Sequence, residues 1–193
     1  VGSESLATGP LRDRLDPAEM LESATVFEGR VWDVKRETAA LHDSTITREF
    51  LSHAGAVAVL AIDADDRVLV INQYRQPIRM REWEIPAGLL DVDGEEPLEA
   101  AKRELAEEAD LAAASWSGPM VFYPSPGGID EKIYLFVARD LSASPHPHER
   151  TDEEAEIVVR WVTVDDVIEA GLDGRIHNGT LLLAVLAEHA RRG

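Results

Sequence analysis

The segment GLLDVDGEEPLEAAKRELAEEADL, Gly88 to Leu111, holds the residues whose types and spacing best suit phosphate chemistry. Glu104, Glu107 and Glu108 fall within little more than one turn of a stretch that reads as a helix from Pro97 to Ala109. A carboxylate-rich helix face is ordinarily only solvated, but like charges one turn apart cost about 0.2–0.5 kcal/mol per pair. A bound cation gives such an arrangement a physical reason. Oxygen-only donors suit Mg²⁺ or Mn²⁺, hard ions that keep part of their water and also contact phosphate. Arg103 is placed to pair with Glu107 or a loop carboxylate and so hold the constellation. The loop Ala87 to Gly94 brings backbone carbonyls close to the same helix.

Those groups need a scaffold, and the flanking sequence reads as one. Proline at the first helical position costs no hydrogen bond, while Leu98, Ala101 and Leu105 share one face of the helix. Asp110 is expected as a left-handed cap. GAVAVLAIDADDRVLVINQYR reads as two strands around an acidic turn, with Val57 to Ile62 and Val68 to Ile71 apolar enough for burial on both faces. Further strands are expected in EWEIPAG, SWSGPMVFY, KIYLFVARDL and IVVRWVTV. Helices follow near Asp165 to Ala170 and, capped by Asn178, Thr180 to Ala190. Upstream, ATVFEGRVWDVKRETAAL and ITREFLS read as two antiparallel strands joined at HDST. The fold class expected is α/β (α+β): a mixed sheet sandwiched between helices, preceded by a small N-terminal antiparallel sheet. Residues 1–22 are expected as a flexible arm, 23–53 as a sheet supporting dimerisation and 54–193 as the catalytic domain.

The helix and its loop resemble the Nudix box: Gly, five residues, Glu, seven residues, then Arg-Glu-hydrophobic-x-Glu-Glu-x-Gly-hydrophobic. Glu95, Arg103, Glu104, Leu105, Glu107, Glu108 and Leu111 fall on that pattern, Gly88 stands one position too far upstream, and Asp110 replaces the final glycine. The extra residue sits in the loop, where insertion costs little. The resemblance is narrowest to bacterial ADP-ribose pyrophosphatases, through VFEGRVWDVKRE, TREFLSHAGAVAVLAI, NQYRQPIRMREWEIPAGLL and PSPGGIDEK, whose Pro126 lies fifteen residues beyond Leu111. It implies a Nudix fold and hydrolysis of ADP-ribose to AMP and ribose 5-phosphate. It further implies two or three Mg²⁺ ions, with Mn²⁺ as substitute, held by Glu104 and Glu108, assisted by Glu107, the Ala87 carbonyl and Glu95. Glu108 and Arg103 are assigned to the catalytic machinery on the same ground. For the carboxylate that orients the water, the acidic loop HERTDEEAE offers Asp152, Glu153, Glu154 and Glu156. Glu153 matches the family best, with Glu154 one step away.

For the substrate, Trp32 is expected to stack on adenine, with Arg30, Arg48, Arg75 and Arg81 clamping phosphates or ribose. Glu131 is expected at the terminal ribose or beside an arginine. In the resembled family the N-terminal sheet reaches into the neighbour's site, so Trp32 and Arg48 imply a homodimer. A pyrophosphatase for another nucleotide sugar or dinucleotide keeps the same chemistry. A catalytically silent nucleotide-binding module is the other alternative, disfavoured because all the box carboxylates are retained.

Composition narrows the classes. The 193 residues, 45% of them apolar, suffice for one sizeable core. A formal charge of −18, from 37 acidic against 19 basic residues, argues against holding nucleic acid or an anionic membrane. No cysteine is present, which excludes thiolate metal sites and cysteine nucleophiles. No stretch approaches the length needed to span a bilayer, and a cytoplasmic location is expected.

Overall fold

The computed structural model describes residues 10–145 and 156–193. The chain forms two compact units, divided after Leu51.

The first unit is a three-stranded sheet of β1 (Glu19–Phe27), β2 (Asp33–Leu41) and β3 (Ser44–Ser52), in the order β1-β2-β3. Two corrections to the sequence reading arise here. The run ATVFEGRVWDVKRETAAL is not one strand: it breaks at residues 28–32, where Gly29 packs against the Trp32 carbonyl so closely that a Cβ would stand 2.1 Å from that oxygen. The Gly29 amide also donates to Asp33 Oδ1 at 3.2 Å, closing the turn. In addition β1 begins at Glu19, inside the stretch expected to be a loose arm, with Glu19, Met20 and Glu22 opposite Ala40, Ala39 and Thr38.

The second unit is a three-layer sandwich. Its strands are β4 (Ala56–Ala61), β5 (Arg67–Arg75), β6 (Met80–Glu84), β7 (Ala87–Leu89), β8 (Leu111–Phe122), β9 (Ile133–Ala143) and β10 (Val158–Thr163). They form two sheets, one of order β10-β5-β6 and one of order β7-β4-β9-β8. The first is antiparallel throughout; the second is mixed, because β4 runs parallel to β9 and antiparallel to β7. An isolated bridge from Ile62 to Val68 links the two at the β4–β5 turn.

Three helices cover this layer: α1 (Pro97–Ala109), α2 (Val164–Leu172) and α3 (Gly179–Arg192). Strand β4 is buried along its whole length, as its unbroken apolar run requires. Ala58, Leu60 and Ile62 point to a core shared with Val164, Val167, Leu181 and Val185 of α2 and α3. Val57, Val59 and Ala61 point the other way, against Ala100, Ala101 and Leu105 of α1. Each such fully buried Val or Leu contributes roughly 1.5–3 kcal/mol, so α1 is clamped to the strand that runs beneath the site.

Helix α1 has the expected bounds. Pro97 opens it, and Asp110 ends it in the left-handed region (φ 54°, ψ 32°) with its amide on the Ala106 carbonyl. Helix α3 is capped by Asn178, whose side chain accepts from the Leu181 amide at 2.9 Å. Helix α2 starts one residue earlier than expected because Thr163 and Asp166 form a reciprocal capping box.

Candidate active site

Helix α1 turns two of its glutamates, Glu104 and Glu108, inward. Glu104 and Glu108 are only 8% and 6% exposed, an unusual degree of burial for carboxylates. Arg103 ties the cluster together. Its Nε and Nη2 reach the two oxygens of Glu95 at 3.1 and 3.0 Å, while Nη1 donates to Glu104 Oε1 at 2.5 Å and Glu107 Oε2 at 3.2 Å. The contact with Glu95 raises the guanidinium pKa, and it lowers that of the Glu95 carboxyl. From the start of β7, the Ala87 amide donates to Glu108 Oε2 at 2.9 Å.

Gly88 has a role that spacing alone did not reveal. A Cβ built on it would stand 2.0 Å from the Glu104 carboxyl carbon, so the carboxylate occupies the space a side chain would need. The glycine that seemed displaced from the box is the one against which Glu104 packs.

Behind the cluster, Arg75 of β5 grips Glu84 of β6 through two hydrogen bonds of 2.8 Å, and Glu84 is 5% exposed. The pair raises the Arg75 pKa, with the fields of Glu108 and Glu82 adding to the shift, so Arg75 lies within electrostatic reach of the box helix. Glu84 was not singled out from the sequence, since a pairing across a hairpin leaves no periodic signal. Arg81 is paired with Glu156, at the far end of the acidic loop. Glu131 faces the buried His53 ring, Oε1 to Nε2 at 3.7 Å.

Arg30, Trp32 and Arg48 belong to the first unit. Trp32 is 40% exposed in the β1–β2 turn beside Arg30. Arg48 lies on β3 and donates to the Thr47 carbonyl. Asp152, Glu153 and Glu154 lie outside the described residues.

The residues present fit a hard divalent cation. Glu104, Glu107 and Glu108 offer oxygen donors only, and Arg103 is hydrogen-bonded to Glu95, Glu104 and Glu107, while Arg75 is answered by Glu84. Among the described residues no three acidic or histidine side chains already stand as a ligand set. Glu104 is bonded to Arg103 through Oε1 and Glu108 to the Ala87 amide through Oε2.

A buried carboxylate cluster on a helix, met by the glycine of β7 and braced by a guanidinium, has the oxygen-donor chemistry that suits a hard divalent cation. The chain matches the NUDIX domain family over residues 52–182. It is 36% identical over 173 residues to the ADP-ribose pyrophosphatase of Mycobacterium tuberculosis, a span covering 89% of this chain and 83% of that protein. It is 32% identical over 173 residues to the methanol dehydrogenase activator of Bacillus methanolicus, covering 89% of this chain and 92% of that protein. A solved structure of an ADP compounds hydrolase superposes with a TM-score of 0.75 over 93% of this chain and 96% of the other, at 20% identity, which is a likeness of fold. The chain belongs to the Nudix family of hydrolases. Membership implies a divalent-metal-dependent reaction. No helix among the described residues is long and apolar enough to cross a membrane.

Proposed function

We propose that this chain hydrolyses the diphosphate of ADP-ribose to AMP and ribose 5-phosphate, with Mg²⁺ as the metal, two or three ions per site, and Mn²⁺ as a substitute. The observation that carries this reading is the pair of buried carboxylates, Glu104 and Glu108, on a helix face closed by Arg103 and Gly88. Two buried, hydrogen-bonded acids on one turn are costly to keep unless a cation answers them. The name carried by the mycobacterial relative supplies the substrate.

In this reading Glu104 and Glu108 hold metal directly, with Glu107, Glu95 and the Ala87 carbonyl in support. When bound, the metal neutralises charge on the phosphoryl oxygens and activates water. Arg103 fixes the direction of three of the carboxylates, which is the orienting task of groups behind a metal site. Arg75 and Arg81 face the diphosphate, Arg30 and Arg48 the phosphates or ribose, Trp32 the adenine and Glu131 the terminal ribose. Glu153 orients the attacking water, or Glu154 one residue on.

A homodimer belongs to the same reading. All nine residues of β1 are exposed, among them Met20, Leu21, Val26 and Phe27 at 43–62%. A strand with so much apolar surface calls for a cover, and a second copy supplies one while lending Trp32 and Arg48 to the neighbour's site. A cytoplasmic placement follows from the substrate class, since nucleoside diphosphate derivatives are solutes of the cell interior.

The test is Mg²⁺-dependent hydrolysis of a panel of ADP-ribose, an NDP-hexose, NADH, FAD and an oxidised dGTP, with products resolved by chromatography. Preferential release of AMP and ribose 5-phosphate is expected. Faster turnover of another member would keep the chemistry and move the substrate to that nucleotide. A second reading, in which the domain acts on another enzyme, is favoured by the name of the Bacillus methanolicus relative; no turnover of any panel member would select it.

A further inference from the structure

His53 is a buried histidine that the reaction outlined above does not use. Its side chain is 3% exposed. The Gly55 amide donates to His53 Nδ1 at 3.0 Å, so Nδ1 holds a lone pair and the neutral ring carries its proton on Nε2. That Nε2 faces Glu131 Oε1 at 3.7 Å. The His53 amide donates to Asp130 Oδ1 at 2.7 Å, and the Ala56 amide donates to the Lys132 carbonyl at 3.0 Å. Residues 53–56 and 130–132 are thereby zipped together over a few ångströms.

The same short segment touches the box loop. The Leu90 amide donates to the Gly55 carbonyl at 3.1 Å, and Ala56 stands opposite Leu89 on one side and Ile133 on the other. Gly55 permits this: its φ is +91° and a Cβ would come 3.2 Å from the Lys132 carbonyl. The start of β4 is therefore the point at which the PSPGGIDE loop and strand β7, which bears Ala87 and Gly88, are tied to one another.

We propose that His53 is a positioning residue for substrate selection: its Nε2–H, aimed by the Gly55 amide, fixes the Glu131 carboxylate so that Oε2 is presented to a hydroxyl of the terminal ribose. The inference rests on the reading of Glu131 as a contact to that ribose. At 3.7 Å Nε2–H and Oε1 stand just beyond hydrogen-bond length, and the attraction between the N–H dipole and the carboxylate sets the rotation of Glu131. His53 touches neither the diphosphate nor the box carboxylates in this scheme, so it governs recognition of the sugar and not bond cleavage.

Two substitutions separate this role from a merely structural one. His53→Asn keeps an acceptor where Nδ1 stands and removes the donor facing Glu131; His53→Gln keeps a donor near Nε2 and removes the acceptor for Gly55. KM and kcat for ADP-ribose are measured for both, with ADP, which lacks the terminal ribose, as a calorimetric binding probe. Asn is expected to raise KM about tenfold through the loss of a donor facing a charged group, with kcat and ADP affinity within about twofold of the parent. Gln is expected to restore KM, and His53→Asn combined with Glu131→Gln is expected to be no worse than Glu131→Gln alone. The opposite ranking, or equal losses for ADP and ADP-ribose, overturns the proposal by showing that the Gly55 contact and general folding are what matter. Glu131→Gln alone with parental KM sinks the reading of Glu131 itself, and parental KM for Asn beside an impaired Glu131→Gln sinks only the role of His53.

Discussion

Strand β1 and helix α1 are opposite cases within one chain. Every residue of β1 is exposed, including Met20 and Phe27. Helix α1 buries Ala100, Ala101 and Leu105 completely and takes Glu104 and Glu108 in with them. The apolar side of α1 is answered within the chain by Val57 and Val59, and its acidic side by Arg103 and the Ala87 amide. A region whose partners lie in its own chain can be read to its chemistry from one sequence. A region whose apolar surface has no cover among the described residues, as in β1, offers no partner against which its sequence can be read.

Breaking the α1 side should have the larger effects. Glu104→Gln removes a negative charge while nearly preserving shape, and kcat is expected to fall about 1,000-fold, the upper range for loss of a preorganised electrostatic group. Thermal unfolding should stay near the parental midpoint, and steady-state assays beside a melting curve check both. Gly88→Ala pushes a methyl group into the Glu104 carboxylate. Because that carboxylate ends a flexible side chain, folding should survive while activity drops about 10- to 100-fold, as when the support of a metal ligand is disturbed. Loss of the fold instead would mean that the close approach serves packing.

The β1 side is sharpened by Phe27→Asp. Burying a carboxylate in an interface should weaken self-association about tenfold or more, read by light scattering across a dilution series. The unfolding of the second unit should not change. A parental dimer would place the interface elsewhere, and a monomeric parent would remove it.

The smallest effect concerns the cap of α2. Hydrogen bonds from Thr163 hold the Asp166 carboxyl below its ordinary pKa, with Arg160 and Arg175 adding to the shift. A depressed folded-state pKa stabilises the fold above the ordinary carboxylate value and ceases to do so as pH falls through the depressed one. Asp166→Asn should therefore lower the melting temperature slightly at neutral pH and not at all in strong acid. An equal loss at both ends would assign the effect to shape and not to charge.

Local signals were legible in the sequence. The bounds of α1, the caps at Asn178 and Asp110, and the two-sided burial of β4 all follow from residues within one or two turns of each other. Failures came where the cause was distant or steric. The chain break near Gly29 hid inside a run of strand-forming residues. Glu84, opposite Ile71 in the β5–β6 register, became significant only through its side-chain contact with Arg75, nine positions away in sequence. Gly88 looked misplaced by counting, because motif spacing records position and not which carboxylate lies against the backbone. For Trp32, Arg30 and Arg48 the expectation rests on family resemblance, and Glu153 and Glu154, between which the sequence does not choose, lie outside the described residues.

The most direct test of the central claim is a Mg²⁺ titration of ADP-ribose hydrolysis, parental protein against Glu108→Gln, following AMP and ribose 5-phosphate. The account predicts no turnover in EDTA, saturable recovery with Mg²⁺ in the parent, and no recovery in the variant at any concentration. Turnover by Glu108→Gln at the parental rate, or hydrolysis by the parent in EDTA, would contradict it.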